Sequence, residues 1–272
     1  MSQKLAAPFT IVLLVALGLG CSMLRLKRPP SWSVVLQIDA PAADRETAVK
    51  QTVGVLEARL DALGVSGSEV KIQGDPADGR ILVNLPNVAD RERVKRLITA
   101  RARLELVYVI SPPNPAPAQT YSSREEALTS LGGTVPANRR LLPYAVRAQP
   151  TVTDSQPMKW VVVESPAIID GSDLRSASAV QLSGGEDYHI AFSLQAAGAA
   201  KFATWTGANI NHYIGVVLND EVKSIAFIRS QISDQGMIDG RFTKESAEDL
   251  ALTLRSGALP APVRIVEEGS AK

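Results

Sequence analysis

Residues 242–268 read FTKESAEDLALTLRSGALPAPVRIVEE, and this stretch decides the fold. Thr243 is placed as a helix N-cap, and Glu245 and Glu248 put negative charge near the positive end of the helix. Ala247, Leu250, Ala251 and Leu254 recur at helical spacing and make one apolar face. Arg255 sits in the last turn, Gly257 is the left-handed stop, and Pro260 blocks continuation. Val263, Ile265 and Val266 then read as a short strand. A helix with one apolar face has to pack on a sheet, and that sheet has to come from upstream.

Immediately upstream, residues 188–194 alternate as a strand and residues 196–209 read as a helix burying Ala199, Phe202 and Ala203. Residues 213–218 are an apolar strand, Asn219-Asp220 a hairpin turn, and residues 222–227 the returning strand. Residues 235–240 read as a loop. With the closing helix and strand, the order of this unit is β-α-β-β-α-β. Further upstream, residues 111–118 (SPPNPAPA) form a proline-rich break and a candidate hinge. Residues 119–158 are polar and irregular, with one helix over 123–131 and an exposed loop over 148–158. A short strand over 160–163, a turn at Asp170-Gly171 and a short helix over 172–177 complete the middle.

The first folded unit follows a stiff KRPPS spacer at residues 27–31. Residues 32–40 are a strand with Val34, Leu36 and Ile38 on one face. Residues 42–63 are a helix, with Val49, Val53, Leu56, Leu60 and Leu63 at steps of four and three, ended by Gly64. Strands over 69–73 and 80–85 flank the DPADG turn, and residues 90–101 are a helix capped by Asp90. Residues 104–110 are a fourth strand. The order is β-α-β-β-α-β, which predicts a four-stranded antiparallel sheet covered on one face, the ferredoxin-like arrangement. The expected class is therefore α+β, a ferredoxin-like base plus a second α+β subdomain, preceded by one hydrophobic segment.

That segment is residues 5–24, which carry no charge and are bracketed by Lys4 and by Arg25, Lys27 and Arg28. It is long enough for a signal-peptide core and just enough to span a bilayer. Two readings stand side by side. In one, Gly20-Cys21 is a lipoprotein cleavage site and Cys21 becomes lipidated, although Gly18 stands where such sites usually carry Leu. In the other, the segment is an uncleaved anchor, against which the excess of positive charge on its carboxyl side counts. Both tether the chain to a membrane.

Composition excludes more than it assigns. The 272 residues suggest one large or two modest domains, with 45% apolar and 21% charged residues. The net charge of +1 gives no bulk attraction to nucleic acid. The single cysteine, Cys21, rules out an intrachain disulfide and a thiolate metal cluster. His189 and His212 have no partner ligand at metal spacing, and neither a nucleophile elbow nor a phosphate-binding loop is present. Glu245, Glu248, Asp249, Glu267 and Glu268 read as solvated faces and helix-dipole partners, and Arg139-Arg140 with the basic residues of 91–103 as outer faces. The reading is a binding or structural module, not an enzyme, with no cofactor.

The run LRSGALPAPV at residues 254–263 strongly resembles the first periplasmic domain of the SecD family, membrane subunits that assist the Sec translocon. Residues 52–64 (TVGVLEARLDALG) with 72–85 resemble the family's base; residues 164–180, 202–219 (FATWTGANINHYIGVVLN) and 224–232 resemble its head. A glycine-rich GLDLRGG-like stretch usual before the first strand is absent, and the chain stops at Lys272, before the family's proton-conducting membrane helices. The expected layout is an anchor and spacer over 1–31, a base over 32–110, a linker and irregular insert over 111–170, and a head over 171–272. The resemblance implies a membrane-tethered, periplasm-facing module of a bacterial envelope that binds translocating or unfolded polypeptide, works beside Sec translocon membrane subunits, and does not itself conduct protons. The other reading is an envelope scaffold that keeps the fold without an export role. Candidate polypeptide contacts are Tyr188, Phe202, Trp205, Tyr213 and Phe227, each of which also reads as core from its alternating or helical spacing.

Overall fold

The computed structural model describes residues 31–86, 88–112, 117–145, 158–182 and 185–270. The N-terminal apolar segment with Cys21, the middle of the proline-rich run and nearly all of 148–158 lie outside the described residues. In chain order the elements are β1 (Ser31–Ile38), α1 (Ala42–Ala62), β2 (Glu69–Ile72), β3 (Arg80–Pro86), α2 (Arg91–Thr99), β4 (Leu104–Val109), α3 (Arg124–Ser130), β5 (Arg139–Ala145), β6 (Met158–Glu164), β7 (Ile169–Asp170), β8 (Leu174–Gln181), β9 (Tyr188–Leu194), α4 (Ala196–Ala208), β10 (Tyr213–Leu218), β11 (Glu221–Phe227), β12 (Gln235–Phe242), α5 (Lys244–Arg255) and β13 (Val263–Ser270).

The base sheet has the order β13-β1-β3-β2, every neighbouring pair antiparallel. Val34, Leu36 and Ile38 of β1 and Ile81, Val83 and Leu85 of β3 point to one face, where Val49, Leu56 and Leu60 of α1 and Val94 and Ile98 of α2 cover them. Each such side chain removed from water stabilises the fold by about 1.5–3 kcal/mol. The Asp90 side chain accepts from the Arg93 backbone N–H at 2.9 Å and starts α2, as its sequence position predicts. This is the expected βαββαβ base, with one correction. Its fourth strand is β13, from the far end of the chain, and not residues 104–110.

The reason lies in the side chains. Leu104 and Leu106 of β4 face one core while Val107 and Val109 face another. An edge strand of the base would leave one of those faces in water, because the uncovered face of the base sheet carries Gln37, Arg80 and Asn84 beside Val35 and Leu82. β13 suits that place: Val263 and Ile265 pack inward, while Arg264 and Glu267 are exposed.

β4 instead enters a sheet that closes on itself. It pairs with β10, β10 with β11, β11 in parallel with β5, β5 with β6, and β6 back with β4. Val107, Val109, Leu142, Val161, Val163, Tyr213, Val217 and Val222 fill the interior. The opposite faces of β4 and β10, with Leu104, Leu106, Ile214, Val216 and Leu218, pack on a second core shared with β9, α4 and α5. A three-stranded sheet, β12-β9-β8, encloses that core, and α5 lies against it through Ala247, Ala251 and Leu254. The 242–268 helix thus finds its sheet as expected, in the head. Its strand belongs to the base.

Four further expectations are corrected. Residues 174–181, read partly as a short helix, are strand β8; its inward positions are Leu174 and the small Ala177 and Ala179, and a register shift after Leu174 breaks the alternation. Residues 235–240, read as a loop, lie in strand β12; Gly236 weakens the pattern but is required, since a Cβ there would run into the Phe192 ring. Residues 139–145, read as irregular, are β5, despite Pro143. The second unit is not a second βαββαβ, because β9, β10 and β13 go to three different sheets.

Candidate functional site

Base and head are joined by two crossovers, residues 100–103 after α2 and residues 256–262 after α5. They run side by side: the Leu259 N–H donates to the Arg101 carbonyl at 3.0 Å. Each contains a residue in the left-handed region, Ala102 at φ 52° and Gly257 at φ 91°. The β10–β11 turn grips the first crossover. The Asn219 N–H donates to the Arg103 carbonyl at 2.9 Å, and the Arg103 N–H donates to Asn219 Oδ1 at 3.0 Å. Asn219 and Asp220 hold φ 53° and 63°, the paired left-handed geometry of a two-residue hairpin, as Asn-Asp predicts.

Charge gathers at the same place. Asp220 accepts from Arg101 and Arg103, each at 3.4 Å. Glu105, only 5% exposed, accepts from Arg103 at 3.0 Å and from both terminal nitrogens of Arg140 at 3.0 Å. A carboxylate so buried is tolerated because guanidinium donors reach both of its oxygens, Arg103 at Oε1 and the two Arg140 nitrogens at Oε2. Arg101, Arg103, Glu105, Asp170, Ser172 and Leu259 help line a cleft of about 700 Å³ beside the crossovers. The Ser172 hydroxyl, 2.6 Å from Asp170 Oδ1, pulls the Asp170 carboxyl below its usual range against the opposing effect of burial. The cleft offers donors and acceptors, and its walls belong to both the crossovers and the head.

The aromatic candidates fall into two separate groups. Tyr213, 4% exposed, and Phe227 lie inside the closed sheet with ring centroids 5.3 Å apart. Phe202, 3% exposed, with Trp205 and Tyr188 partly buried, belongs to the core between the sheets, where Tyr108 meets the Trp205 ring edge-on at 5.7 Å. β10 separates the two groups, so no single groove holds all five. Cys21 lies outside the described residues. His212 Nδ1 is 2.7 Å from the Tyr108 hydroxyl, and His189 Nδ1 is 3.1 Å from Asp239 Oδ1. The proline-rich run does not join base to head: Ser111 Oγ accepts from the Gln119 N–H at 3.0 Å, so both its described ends sit on the head.

Sequence reasoning missed the joint. One signal was present: Arg59 stands three residues after Leu56 and next to Leu60, a charge set inside the apolar stripe of α1. The crossovers themselves carry no periodicity to detect.

Two family models match the chain: "SecDF, P1 head subdomain" over residues 146–261, and "Protein translocase subunit SecDF, P1 domain, N-terminal" over residues 49–111. The head match stops at Ala261, which already packs in the base core. SecD of Elusimicrobium minutum is 34% identical over 249 residues, covering 87% of this chain and 50% of that protein. SecD of Aquifex aeolicus is 34% identical over 224 residues, covering 82% and 40%. The chain thus spans half or less of the length of these relatives. Among solved structures, one described as "a membrane component SecDF that enhances protein export" superimposes with TM-score 0.63 at 28% identity, over 86% of this chain and 98% of that one. A SecDF in a "Super-membrane-facing form" gives 0.62 at 29% identity, over 88% and 30%.

Proposed function

We propose a role in protein export for this chain, which belongs to the family of SecD and SecDF protein translocase subunits. In this reading the chain is a non-enzymatic module on the periplasmic side of a bacterial envelope. Its N-terminal apolar segment, or a lipid on Cys21, tethers it to the membrane. It binds translocating or unfolded polypeptide through the head, close to Sec translocon membrane subunits, while base and head meet at the two crossovers. The observation that carries the reading is the likeness, over 86% of this chain and 98% of the other, to a solved SecDF chain described as enhancing protein export.

An unfolded chain is recognised through its backbone, and an unpaired sheet edge is the direct way to do so. β8 is one of the two outer strands of the three-stranded sheet; its Leu174 and Ala177 carbonyls accept from Gln195 and Arg255, while Arg175, Ser176 and Ser178 on it are exposed. Tyr213 and Phe227 are not the contacts in this reading, because they fill the closed sheet. A photo-crosslinker at Ser178, in the full chain, is expected to capture a stalled secretory polypeptide. The same group at Glu57, exposed on α1, serves as the control. Equal capture at the two positions removes the β8 edge as the binding surface, and absence of any capture removes polypeptide binding by the head.

A further inference from the structure

Arg59 is a basic side chain with no surface left in solvent. Its Nη1 donates to the Leu97 carbonyl at 2.7 Å, and its Nη2 donates to the Gly257 carbonyl at 3.0 Å. Leu97 lies in the last turn of α2, and Gly257 follows the end of α5. The Leu97 carbonyl is one of the outward-pointing carbonyls at the end of α2, which carry partial negative charge, whereas Gly257, at φ 91°, lies one residue beyond the cap of α5. Burial alone pushes the guanidinium down to about 10, with no carboxylate offsetting it. Its Nε is buried without a hydrogen-bond partner, so the two Nη bonds alone compensate the buried charge.

The three elements joined by this side chain do not belong to one unit. α1 and α2 are base helices, whereas Gly257 lies on the crossover from the head helix α5 to the base strand β13. The same crossover holds its neighbour through Leu259 and Arg101. Around this buried contact, Arg93–Asp249 and Arg96–Glu245 tie α2 to α5 with partly exposed ion pairs. Exposed pairs break and re-form at little cost. The Arg59 contact does not, because a swing of the head that carries Gly257 away strands a buried charge and a buried carbonyl together.

We propose that Arg59 is the pin that sets the angle between base and head, holding the joint in one orientation through its fork on Leu97 and Gly257. The proposal rests on the division into two units joined by two crossovers and makes no use of polypeptide binding, so it stands or falls apart from the export role. Removing the fork frees the joint and leaves both cores folded.

The test uses the full chain with Cys21→Ser, spin-labelled at Glu57→Cys on α1 and Lys201→Cys on α4, both exposed positions. With Arg59 present, one narrow distance is expected between the labels. With Arg59→Met, which keeps the bulk, and with Arg59→Lys, which keeps the charge but not the fork, the distribution is expected to broaden or split. Amide exchange in residues 99–104 and 255–262 is expected to speed up by about tenfold or more, while β1 and β3 stay protected. Near-UV circular dichroism should remain native. An unchanged distance distribution, with only a uniform loss of stability, makes Arg59 a core residue and overturns the proposal. Failure of both variants to fold assigns it to the base core and overturns it equally.

Discussion

Gly215 shows how much one absent side chain decides. It sits on β10, facing the interior of the closed sheet, where a Cβ would stand 3.0 Å from Val109 Cγ2 and 3.3 Å from Val107 Cγ2. Both valines come from β4, so the glycine sets how closely β4 and β10 approach. Replacing it by Val is expected to cost about 1–3 kcal/mol by overpacking, and by Ala less. Thermal unfolding of the two variants checks this; a Gly215→Val chain as stable as the original would mean that the interior has room to spare. Residues of this kind were only half legible. Tyr213 and Phe227 could be named from their alternation, but not assigned to the inside of a closed sheet. Asp90 and Thr243 were legible as caps, because capping is a local act between a side chain and an N–H three residues on: Arg93 N at 2.9 Å and Ser246 N at 3.2 Å. Arg59 was legible only as an anomaly in a stripe; what it bonds lies 38 and 198 residues away.

At the scale of elements, α5 has two faces with different partners. Ala247, Ala251 and Leu254 face the head core, and Asp249 turns to α2, where Arg93 reaches it at 2.7 Å. Asp249 is 15% exposed and Arg93 35%, so the pair is half screened. A double-mutant cycle with Arg93→Ala and Asp249→Ala is expected to give a coupling of about 0.5–1 kcal/mol. That coupling should shrink as salt rises from about 0.05 to about 0.5 M. Zero coupling at low salt would leave α2 and α5 joined by packing alone. Helices α1, α2, α3, α4 and α5 were all legible, since a helix satisfies its own backbone and shows its face every three or four residues. Strands β8 and β12 were not. Their inward positions are Leu174, Ala177, Ala179, Gly236 and Ile238, and mostly small side chains with a register shift after Leu174 leave almost no alternation to read. What makes them strands is pairing with β9 on both sides, together with the weight of α5 on that sheet. Pairing partners are not written in the strand that needs them.

The whole molecule is organised by the return of its last strand. β13 pairs with β1 along nearly its full length, from Ile38 opposite Val263 to Trp32 opposite Ser270. The head is therefore an insertion between α2 and β13 of the base, and the base is closed only when the chain has passed through the head. Ending the chain at Pro262 should destabilise the base by more than about 3 kcal/mol, because β1 loses a ladder and Val263 and Ile265 leave the core. The head, whose α5 is intact, should keep its fold. Limited proteolysis with denaturant-dependent amide exchange in β1 and β3 reads this directly; an unaltered base transition would show that three strands suffice. Local chemistry determined a great deal by itself: the α+β class, the five helices, the caps, the Asn-Asp turn, the four strands up to residue 110 and the wording of residues 254–263. Each of these depends on contacts within a few residues or on a face repeated along one element. Tertiary structure alone decided which sheet each strand joins, that the 242–268 stretch carries a head helix and a base strand at once, and that the joint lies at Ala102 and Gly257. Strand pairing is a choice among distant partners that share the same local pattern. It is settled by which faces must be buried, and β4, apolar on both faces, could not serve as an edge while β13 could.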